Sequence, residues 1–173
     1  LAGCGGGDKA ASSAVKAASG KPAKIVAGMD DTFAPMGFRD DSGKIVGFDI
    51  DMAEAVSKEI GVPIEFKPID WASKETELNS GRIDCIWNGF TYEGREDNYS
   101  FSAPYMVNAQ VVVVRADSDI KTLEDLADKN VITQADSSAL NVLEGDQADL
   151  AATFAGGKVS TISDYNNAFM QLE

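Results

Sequence analysis

The stretch IVGFDIDMAEAVSKEIGVPIEF, residues 45–66, contains a short strand, an amphipathic helix and the start of a further strand. Its apolar residues recur at the three- and four-residue spacing of one helix face. They are Ile50, Ala53, Val56 and Ile60. Asp49 is predicted to cap the start of this helix and Gly61 to end it. A helix between two strands favours a parallel α/β arrangement.

The same alternation continues on both sides of this stretch. Before it, KIVAGM is predicted to be a strand and DDTFAPMGF a loop; after it come a strand in VPIEFKPI, a short polar helix in SKETELNSG and a strand in RIDCIWNG. Turn residues separate these segments. The order predicts a mostly parallel sheet covered by helices, over residues 23–109.

A second α/β unit is predicted over residues 110–173. The apolar run AQVVVVRA, residues 109–116, is expected to be a strand buried on both faces of a sheet. A helix capped by Thr122 is expected in DIKTLEDLAD, residues 119–128. The remaining predicted elements are a strand in NVITQ, a helix in DSSALNVLEG, a strand in KVSTI and a helix in DYNNAFMQLE. That final helix has no glycine stop, and we expect the second unit to be cut off before its next strand.

Composition excludes several classes of function. The chain has 173 residues, a net charge of −13 and no histidine. An acidic chain without a basic stripe argues against a nucleic-acid partner. The absence of histidine removes Ser-His-Asp and Cys-His catalysis and histidine-ligated zinc. Neither a calcium-loop spacing nor a glycine-rich phosphate loop is present, so we predict no metal and no cofactor.

The two cysteines have different predicted roles. Cys4 ends LAGC, which resembles a bacterial lipoprotein signal box, and residues 1–22 then comprise this box and a flexible tether over residues 5–22. On this interpretation Cys4 is lipidated, the sequence begins within a signal peptide, and the protein is attached to the membrane by lipid. A chance match of a small-residue tetrapeptide is the alternative. Cys85, among apolar neighbours, is interpreted as a small buried hydrophobic residue.

The strongest candidate site follows the strand in RIDCIWNG. Ligands of open α/β sheets bind beyond the carboxyl ends of the strands. There, Asn88 and Gly89 expose main-chain groups, Thr91 offers a hydroxyl, and Arg95 can bind a carboxylate with two hydrogen bonds. This set suits a small zwitterion. The alternative is a solvated turn in which Arg95 pairs with a neighbouring glutamate, Glu93 or Glu96.

Other candidates lie at the ends of other elements. Ser137 and Ser138 stand at a predicted helix start, where an anion or a plain N-cap is expected. Phe33 and Trp71 are candidate aromatic walls of a pocket, with simple core packing as the alternative. Asp30 follows the first strand, where it can hold a ligand ammonium or be merely solvated.

Three longer segments resemble the extracytoplasmic substrate-binding proteins of polar amino acid ABC transporters, which are solute-binding proteins of family 3. They are residues 26–66, residues 80–105 and residues 111–139, and the resemblance runs from Lys24 to Glu173. It implies a periplasmic-binding-protein-like fold of type II, with two α/β lobes, the first nearly complete and the second incomplete. It also implies capture of a free amino acid outside the cytoplasm, or in the periplasm, and its delivery to a membrane permease.

The resemblance implies roles for the candidate residues. Arg95 matches the residue that binds the ligand α-carboxylate, and Ser138 matches a main-chain N–H that assists it. Thr91 and Gly89 match positions at the α-amine; Phe33 and Trp71 line the side-chain pocket; Gln134 and Asp30 match positions near the ligand. Asp136 departs from the usual glycine, and an acid there is awkward beside an anion. The family's C-terminal segment supplies a further acid for the ammonium, so we expect this chain to bind weakly or not at all without it.

Alternatives remain for the function and for the substrate. Some two-lobed relatives are dehydratases or lytic enzymes, which would need a pocket acid such as Asp30 or Glu93. A sensory input module is a third hypothesis, which a lipidated N-terminus disfavours. Cystine, glutamine, glutamate and basic amino acids all fit a carboxylate-binding site with aromatic walls.

Overall fold

The computed structural model describes residues 20–172, which form eight strands, five α-helices and three short 3₁₀ helices. In chain order they are β1 (Ile25–Met29), β2 (Thr32–Phe33), β3 (Gly37–Arg39), β4 (Ile45–Val46), α1 (Phe48–Ile60), β5 (Ile64–Pro68), α2 (Lys74–Asn79), β6 (Cys85–Ile86), β7 (Ile132–Gln134), α3 (Ser138–Glu144), α4 (Ala148–Ala151), β8 (Ser160–Ile162) and α5 (Tyr165–Leu172). The 3₁₀ helices are Trp71–Ser73, Glu124–Leu126 and Ala155–Gly157. Cys4 and residues 5–19 of the predicted tether lie outside the described residues.

The first sheet is parallel, with the strand order β5-β1-β6. We call the unit built on it the first lobe. Helix α1 connects β4 to β5 and buries Ile50 and Ala53, as the apolar spacing predicts. Gly61 ends the helix in the left-handed conformation, with φ 65°, and this prediction is confirmed.

The predicted cap of α1 is wrong. Gly47 occupies the N-cap position, and no side chain caps the helix. Asp49 lies inside the first turn, 1% exposed, where its Oδ1 accepts a hydrogen bond from the hydroxyl of Tyr105 at 2.7 Å. A tertiary contact with a residue 56 positions away in the sequence therefore determines what this carboxylate binds.

The predicted loop at residues 30–38 contains two of three short antiparallel strands, in the order β2-β3-β4. Strands of two or three residues give too short an alternation to be recognised in a sequence. This small sheet places Phe33 beside the end of β1.

A second parallel sheet pairs β7 with β8; we call the unit built on it the second lobe. Its core is formed by Leu126, Ala151 and Phe154. The predicted helix at residues 119–128 is reduced to the 3₁₀ turn Glu124–Leu126, and Thr122 is not its cap. Instead the Asp125 carboxylate accepts hydrogen bonds from the Thr122 and preceding main-chain nitrogens at 2.9 Å, which folds the segment into a turn.

The predicted buried strand at residues 109–116 is wrong in the structure. Val111, Val112 and Val113 are 77%, 49% and 53% exposed, and the segment has no regular structure. A strand needs a neighbour for its main-chain hydrogen bonds, and no strand within residues 20–172 pairs with this run. Apolar composition predicted burial without identifying a partner.

Candidate functional site

The site lies where the carboxyl ends of β1, β6 and β7 meet, so that the two lobes face each other. Asp30 follows β1, Asn88 follows β6, and Gln134 ends β7. The Asp30 main-chain nitrogen donates to Asn88 Oδ1 at 3.3 Å, and Gln134 Nε2 donates to Asp30 Oδ2 at 2.7 Å. All three are at most 6% exposed. We call this region of contact between the lobes the cleft.

Asp30 is fixed by hydrogen bonds from both lobes. Its Oδ1 accepts from the main-chain nitrogen of Thr32 at 2.9 Å and from the Thr32 hydroxyl at 2.6 Å. Gln134, which binds its other oxygen, also donates to the Ser163 carbonyl at 3.0 Å. The Asp30 carboxylate therefore already ties the lobes together, in contrast to the solvated acid that its loop position favours.

Arg95 is the buried cation that the sequence predicts here, and it is 7% exposed. Its Nη1 donates to the Thr91 carbonyl at 3.4 Å and its Nη2 to the Asp136 carbonyl, across the cleft, at 3.3 Å. Its guanidinium carbon lies 4.6 Å from the centre of the Phe90 ring. Burial lowers the pKa of Arg95 from its ordinary value.

The alternative interpretation of Arg95 as part of a solvated turn is wrong. Glu93 and Glu96 are both exposed, and no carboxylate of residues 20–172 forms an ion pair with Arg95. The guanidinium is thus buried with long main-chain hydrogen bonds as its polar contacts. Such a group can donate hydrogen bonds to both oxygens of a carboxylate without first giving up an ion pair.

Lys74 is a second buried cation, and the sequence analysis missed it. It is 1% exposed, and its Nζ forms an ion pair with the carboxylate of Asp136 in the second lobe. The same Nζ lies 3.4 Å from the Asp136 carbonyl and 5.0 Å from the centre of the Trp71 ring. The segment SKETELNSG is polar throughout, so its pattern indicated a solvated helix. The acid at residue 136 was the available signal for a cationic partner.

The two candidate aromatic walls lie in the cleft region but differ in their surroundings. Trp71 is 7% exposed, with the Phe90 ring against it at 5.5 Å and Lys74 over its face. Phe33 is half-buried and lies 6.0 Å from the ring of Tyr165, which links β2 to α5 of the other lobe. A Cβ added to Gly89 would lie 2.8 Å from the Phe33 ring, so this glycine permits the close approach.

The remaining predicted residues border the same space. Thr91 accepts a hydrogen bond from Asn108 Nδ2 at 3.0 Å. Ser137 is the N-cap of α3, since its hydroxyl accepts from the Leu140 nitrogen at 3.1 Å; this is the capping alternative that its position left open. Ser138 is half-buried at the first position of α3. Among the ten predicted residues, Asp30, Gln134, Arg95 and Phe33 make contacts between the lobes, and the ligand-binding roles of all ten stay predictions.

Tyr105 is a second residue that the sequence analysis missed, and it contacts the site through Asn88. The Tyr105 hydroxyl lies 2.7 Å from Asp49 Oδ1 and 3.1 Å from the Asn88 carbonyl. Burial raises the pKa of Asp49, and the other oxygen of that carboxylate has no hydrogen-bond partner among the described residues. Burial and the nearby carboxylate also raise the pKa of Tyr105. Its tyrosine hydroxyl therefore couples the start of α1 to the end of β6.

Two properties of the described residues bear on other functions. Within residues 20–172, no cluster of three or more acidic or cysteine side chains is arranged to hold a metal ion. No helix of that part of the chain has the length and apolar character needed to cross a membrane. Cys85 is half-buried, and burial raises its pKa, which disfavours the reactive thiolate.

Comparison with known proteins gives consistent matches. The family model described as bacterial extracellular solute-binding proteins, family 3, matches residues 25–172. The chain is 32% identical over 181 aligned residues to the L-cystine-binding protein TcyA of Bacillus subtilis (strain 168), which covers 100% of this chain and 64% of TcyA.

Solved structures are similar in fold as well. An ABC uptake transporter substrate-binding protein of Streptococcus pneumoniae with bound histidine has a TM-score of 0.82 and 39% identity, covering 86% of this chain and 61% of that protein. The ancestral amino acid-binding protein AncCDT-1, a precursor of cyclohexadienyl dehydratase, has a TM-score of 0.78 and 30% identity, covering 87% and 65%. The chain thus spans less than two thirds of each of these proteins.

Proposed function

Because the chain belongs to the bacterial extracellular solute-binding proteins of family 3, we propose that it binds one free polar amino acid in the cleft and delivers it to the permease of an ABC importer. Two-lobed proteins of this kind enclose a small molecule between their lobes. The cleft fits that role, since buried polar groups of both lobes face it.

The observation that supports this proposal is the state of Arg95. Burying a cation is costly unless it is paired and hydrogen-bonded. Arg95 is 7% exposed and forms no ion pair among the described residues. A ligand α-carboxylate would supply the missing anion with two charge-assisted hydrogen bonds, which are about twice as strong as neutral ones.

The neighbouring groups suit the rest of an amino acid. Thr91 and the main chain at Gly89 and Asn88 offer oxygens for the α-ammonium, and the Ser138 main-chain N–H offers a second donor to the carboxylate. The side chain of the ligand would lie against Phe33 and Trp71. Asp30 and Gln134 would hold the lobes in register around it, through the hydrogen bond they share.

Closure of the cleft would be selected by the ligand. An amino acid that contacts Arg95 in the first lobe and the start of α3 in the second has more contacts when the lobes are together. It therefore shifts the population toward the closed form by its differential affinity for the two forms. The exposed segment at residues 107–110 is the proposed hinge between the lobes.

Location and partners follow from the same proposal. Family 3 proteins act outside the cytoplasm, as the family's name states. Attachment to the outer face of the cell membrane through a lipid on Cys4, and docking to a transmembrane permease, are the finer proposals.

Binding without chemistry is the function that the site favours over a dehydratase or a lytic enzyme. TcyA and the Streptococcus protein are named as binding proteins. Of the two candidates for a catalytic acid, Glu93 is exposed and Asp30 has both oxygens engaged by hydrogen bonds. A proton-transferring acid must instead reach the reacting atom.

Titration of the chain with the twenty amino acids, by calorimetry and by ligand-observed NMR, tests the proposal. The expected result is saturable binding of a small subset, with Kd below about 1 mM, or −4.1 kcal/mol. Arg95→Met is expected to abolish it, and Arg39→Met, at an exposed ion pair with Asp31, to leave it unchanged. A folded chain that binds none of the twenty would refute the proposal.

A further inference from the structure

Lys74 and Asp136 form the ion pair that joins the two lobes across the cleft. The lysine is at the start of α2 in the first lobe, and the aspartate precedes α3 in the second, 62 residues away. Lys74 is the largest side chain that the described residues bury below 2% exposure. Its ammonium reaches the main chain at Trp71 only at 3.4 Å, so Asp136 is its principal partner.

Asp136 also makes the cross-cleft contact with Arg95. Its carbonyl lies 3.4 Å from Lys74 Nζ and 3.3 Å from Arg95 Nη2, so both buried cations of the first lobe meet at one residue of the second. Asp136 has φ 57°, in the left-handed region that an aspartate occupies at some cost. A strained residue that is held by contacts on the opposite lobe indicates a functional constraint.

We propose that Lys74 is a positioning residue of the ligand site: by neutralising Asp136 it holds the lobes together and sets the Asp136 carbonyl against Arg95. This deepens the proposed function and rests on it for the ligand affinities, whereas the effect on lobe closure is independent of any ligand. The pair neutralises an acid that would otherwise repel a ligand carboxylate at Arg95.

The Asp136 and Lys74 side chains differ in exposure to solvent, so removing one is expected to affect the protein differently from removing the other. The Asp136 side chain is 49% exposed and stays hydrated when its partner is removed. The Lys74 side chain is 2% exposed, so an unpaired ammonium there can recover water only if the lobes separate. Loss of the carboxylate is therefore expected to open the protein, whereas loss of the lysine is expected to open it less.

Asp136→Gly is the informative variant. Glycine keeps the main-chain carbonyl and accepts a φ of 57° without strain, so it removes the carboxylate alone. Lys74→Met removes the cation and keeps an unbranched apolar side chain. The double variant leaves no buried charge at this position, and Lys24→Met, which breaks the exposed pair with Glu65 inside the first lobe, is the matched control.

Lobe separation can be measured in the absence of ligand by energy transfer between dyes. Suitable exposed positions are Glu54→Cys on α1 and Asp149→Cys on α4, in a Cys4→Ser, Cys85→Ala background. We expect Asp136→Gly to lower the closed-to-open ratio about tenfold, Lys74→Met to lower it less, and the double variant to lower it by less than the two single effects combined. Lys24→Met is expected to change nothing.

Additive effects in the double variant, or an unchanged dye distance in Asp136→Gly with a native circular dichroism spectrum, would overturn the proposal. The second readout is the affinity for L-glutamine and L-histidine, which should follow the closed-to-open ratio across the variants. If no amino acid binds the unsubstituted chain, the proposed function fails, yet the dye measurement still decides whether the pair holds the lobes. If amino acids bind but Asp136→Gly binds them equally well, the positioning role fails alone.

Discussion

Arg95→Met should separate stability from binding. A group that exists for a ligand is expected to contribute little to folding. Arg95 is 7% exposed, and its two hydrogen bonds, at 3.4 and 3.3 Å, are near the limit of useful geometry. Its contact with the Phe90 ring contributes about 0.5–2 kcal/mol. Methionine removes the desolvation cost of the buried charge and fills much of the same space with apolar atoms.

These opposing terms predict a free energy of unfolding within about 1.5 kcal/mol of the unsubstituted chain. Affinity should respond far more. Truncating one partner of a buried charge pair costs about 2–5 kcal/mol, which is a loss of about 30-fold to several thousand-fold in Kd. Urea unfolding followed by circular dichroism gives the first quantity, with the m-value as a check on the denatured state. Calorimetry with the amino acid that binds gives the second.

Arg39→Met is the control for both measurements, because that guanidinium is exposed and binds groups of the first lobe alone, the Asp31 carboxylate and the Gly43 carbonyl. It should change the unfolding free energy by less than about 1 kcal/mol and leave Kd unaltered. An Arg95→Met chain that loses more than about 3 kcal/mol of stability would show that the residue is structural. Retention of full affinity would show that the ligand carboxylate binds elsewhere. Either result refutes the reasoning.

Three further predictions concern the scaffold. Burial raises the pKa of Asp49, so its folded-state pKa exceeds its unfolded value. Ionisation of this carboxylate therefore lowers the stability of the fold. The loss is absent below about pH 4, grows as the pH rises toward the raised pKa, and reaches its full size above it. Asp49→Asn should therefore gain stability relative to the unsubstituted chain between about pH 4 and pH 7 in urea unfolding, and a pH-independent difference would contradict this cause. Gly47→Ala should lower the free energy of unfolding by about 2–4 kcal/mol, because φ is 130° and the new Cβ would lie 2.8 Å from the Met36 carbonyl carbon. Gly43→Ala, at φ 82° with open space around it, should lower it by about 1 kcal/mol in the same assay. Equal losses in the two variants would remove the steric argument. Val111→Ala should change the thermal midpoint by less than about 2 °C, because the side chain is 77% exposed, and a loss above 2 kcal/mol would restore the buried strand that the sequence predicts.

Local signals predicted the elements that local chemistry determines. Gly61 ends α1 because only a residue tolerant of positive φ suits that position, and Ser137 caps α3 through a hydrogen bond within four residues. Strand β1, at residues 25–29, was recognisable as an apolar run followed by acids. These features depend on neighbours in the sequence, so the sequence is sufficient for them.

Elements that depend on a distant partner were mispredicted. Asp49 has the composition of a cap, yet its carboxylate binds Tyr105. The valine run at residues 111–114 has the composition of a central strand, but composition does not supply the neighbouring strand that would bury it. The contact that decides the role of Asp49 lies 56 residues away, and the valine run has no strand partner within residues 20–172; periodicity contains no information about either.

The candidate site shows the same division. Arg95 and Asp30 were predicted because polar groups at strand ends mark the crevice of an α/β sheet. Lys74 was missed because the charge of a short polar helix is ordinarily solvated, and its burial arises from Asp136 on the other lobe. The unusual acid at residue 136 was recognisable, whereas its partner was not.

Net charge is a poor guide to the ligand, and the cleft shows why. The chain carries −13 overall, which by itself favours a cationic ligand. At physiological ionic strength, however, charges on the exposed surface are screened beyond about 8 Å. The charged groups that face the cleft are two acids, Asp30 and Asp136, and two cations, Lys74 and Arg95, and their charges sum to zero; the Asp136 side chain is 49% exposed and the other three are buried. Of the four, Asp30 is hydrogen-bonded, Asp136 and Lys74 are paired with each other, and Arg95 forms no ion pair within residues 20–172. On the proposed function, these charges would favour a ligand carboxylate at Arg95 and leave the preference for the ligand side chain to the Phe33 and Trp71 surfaces.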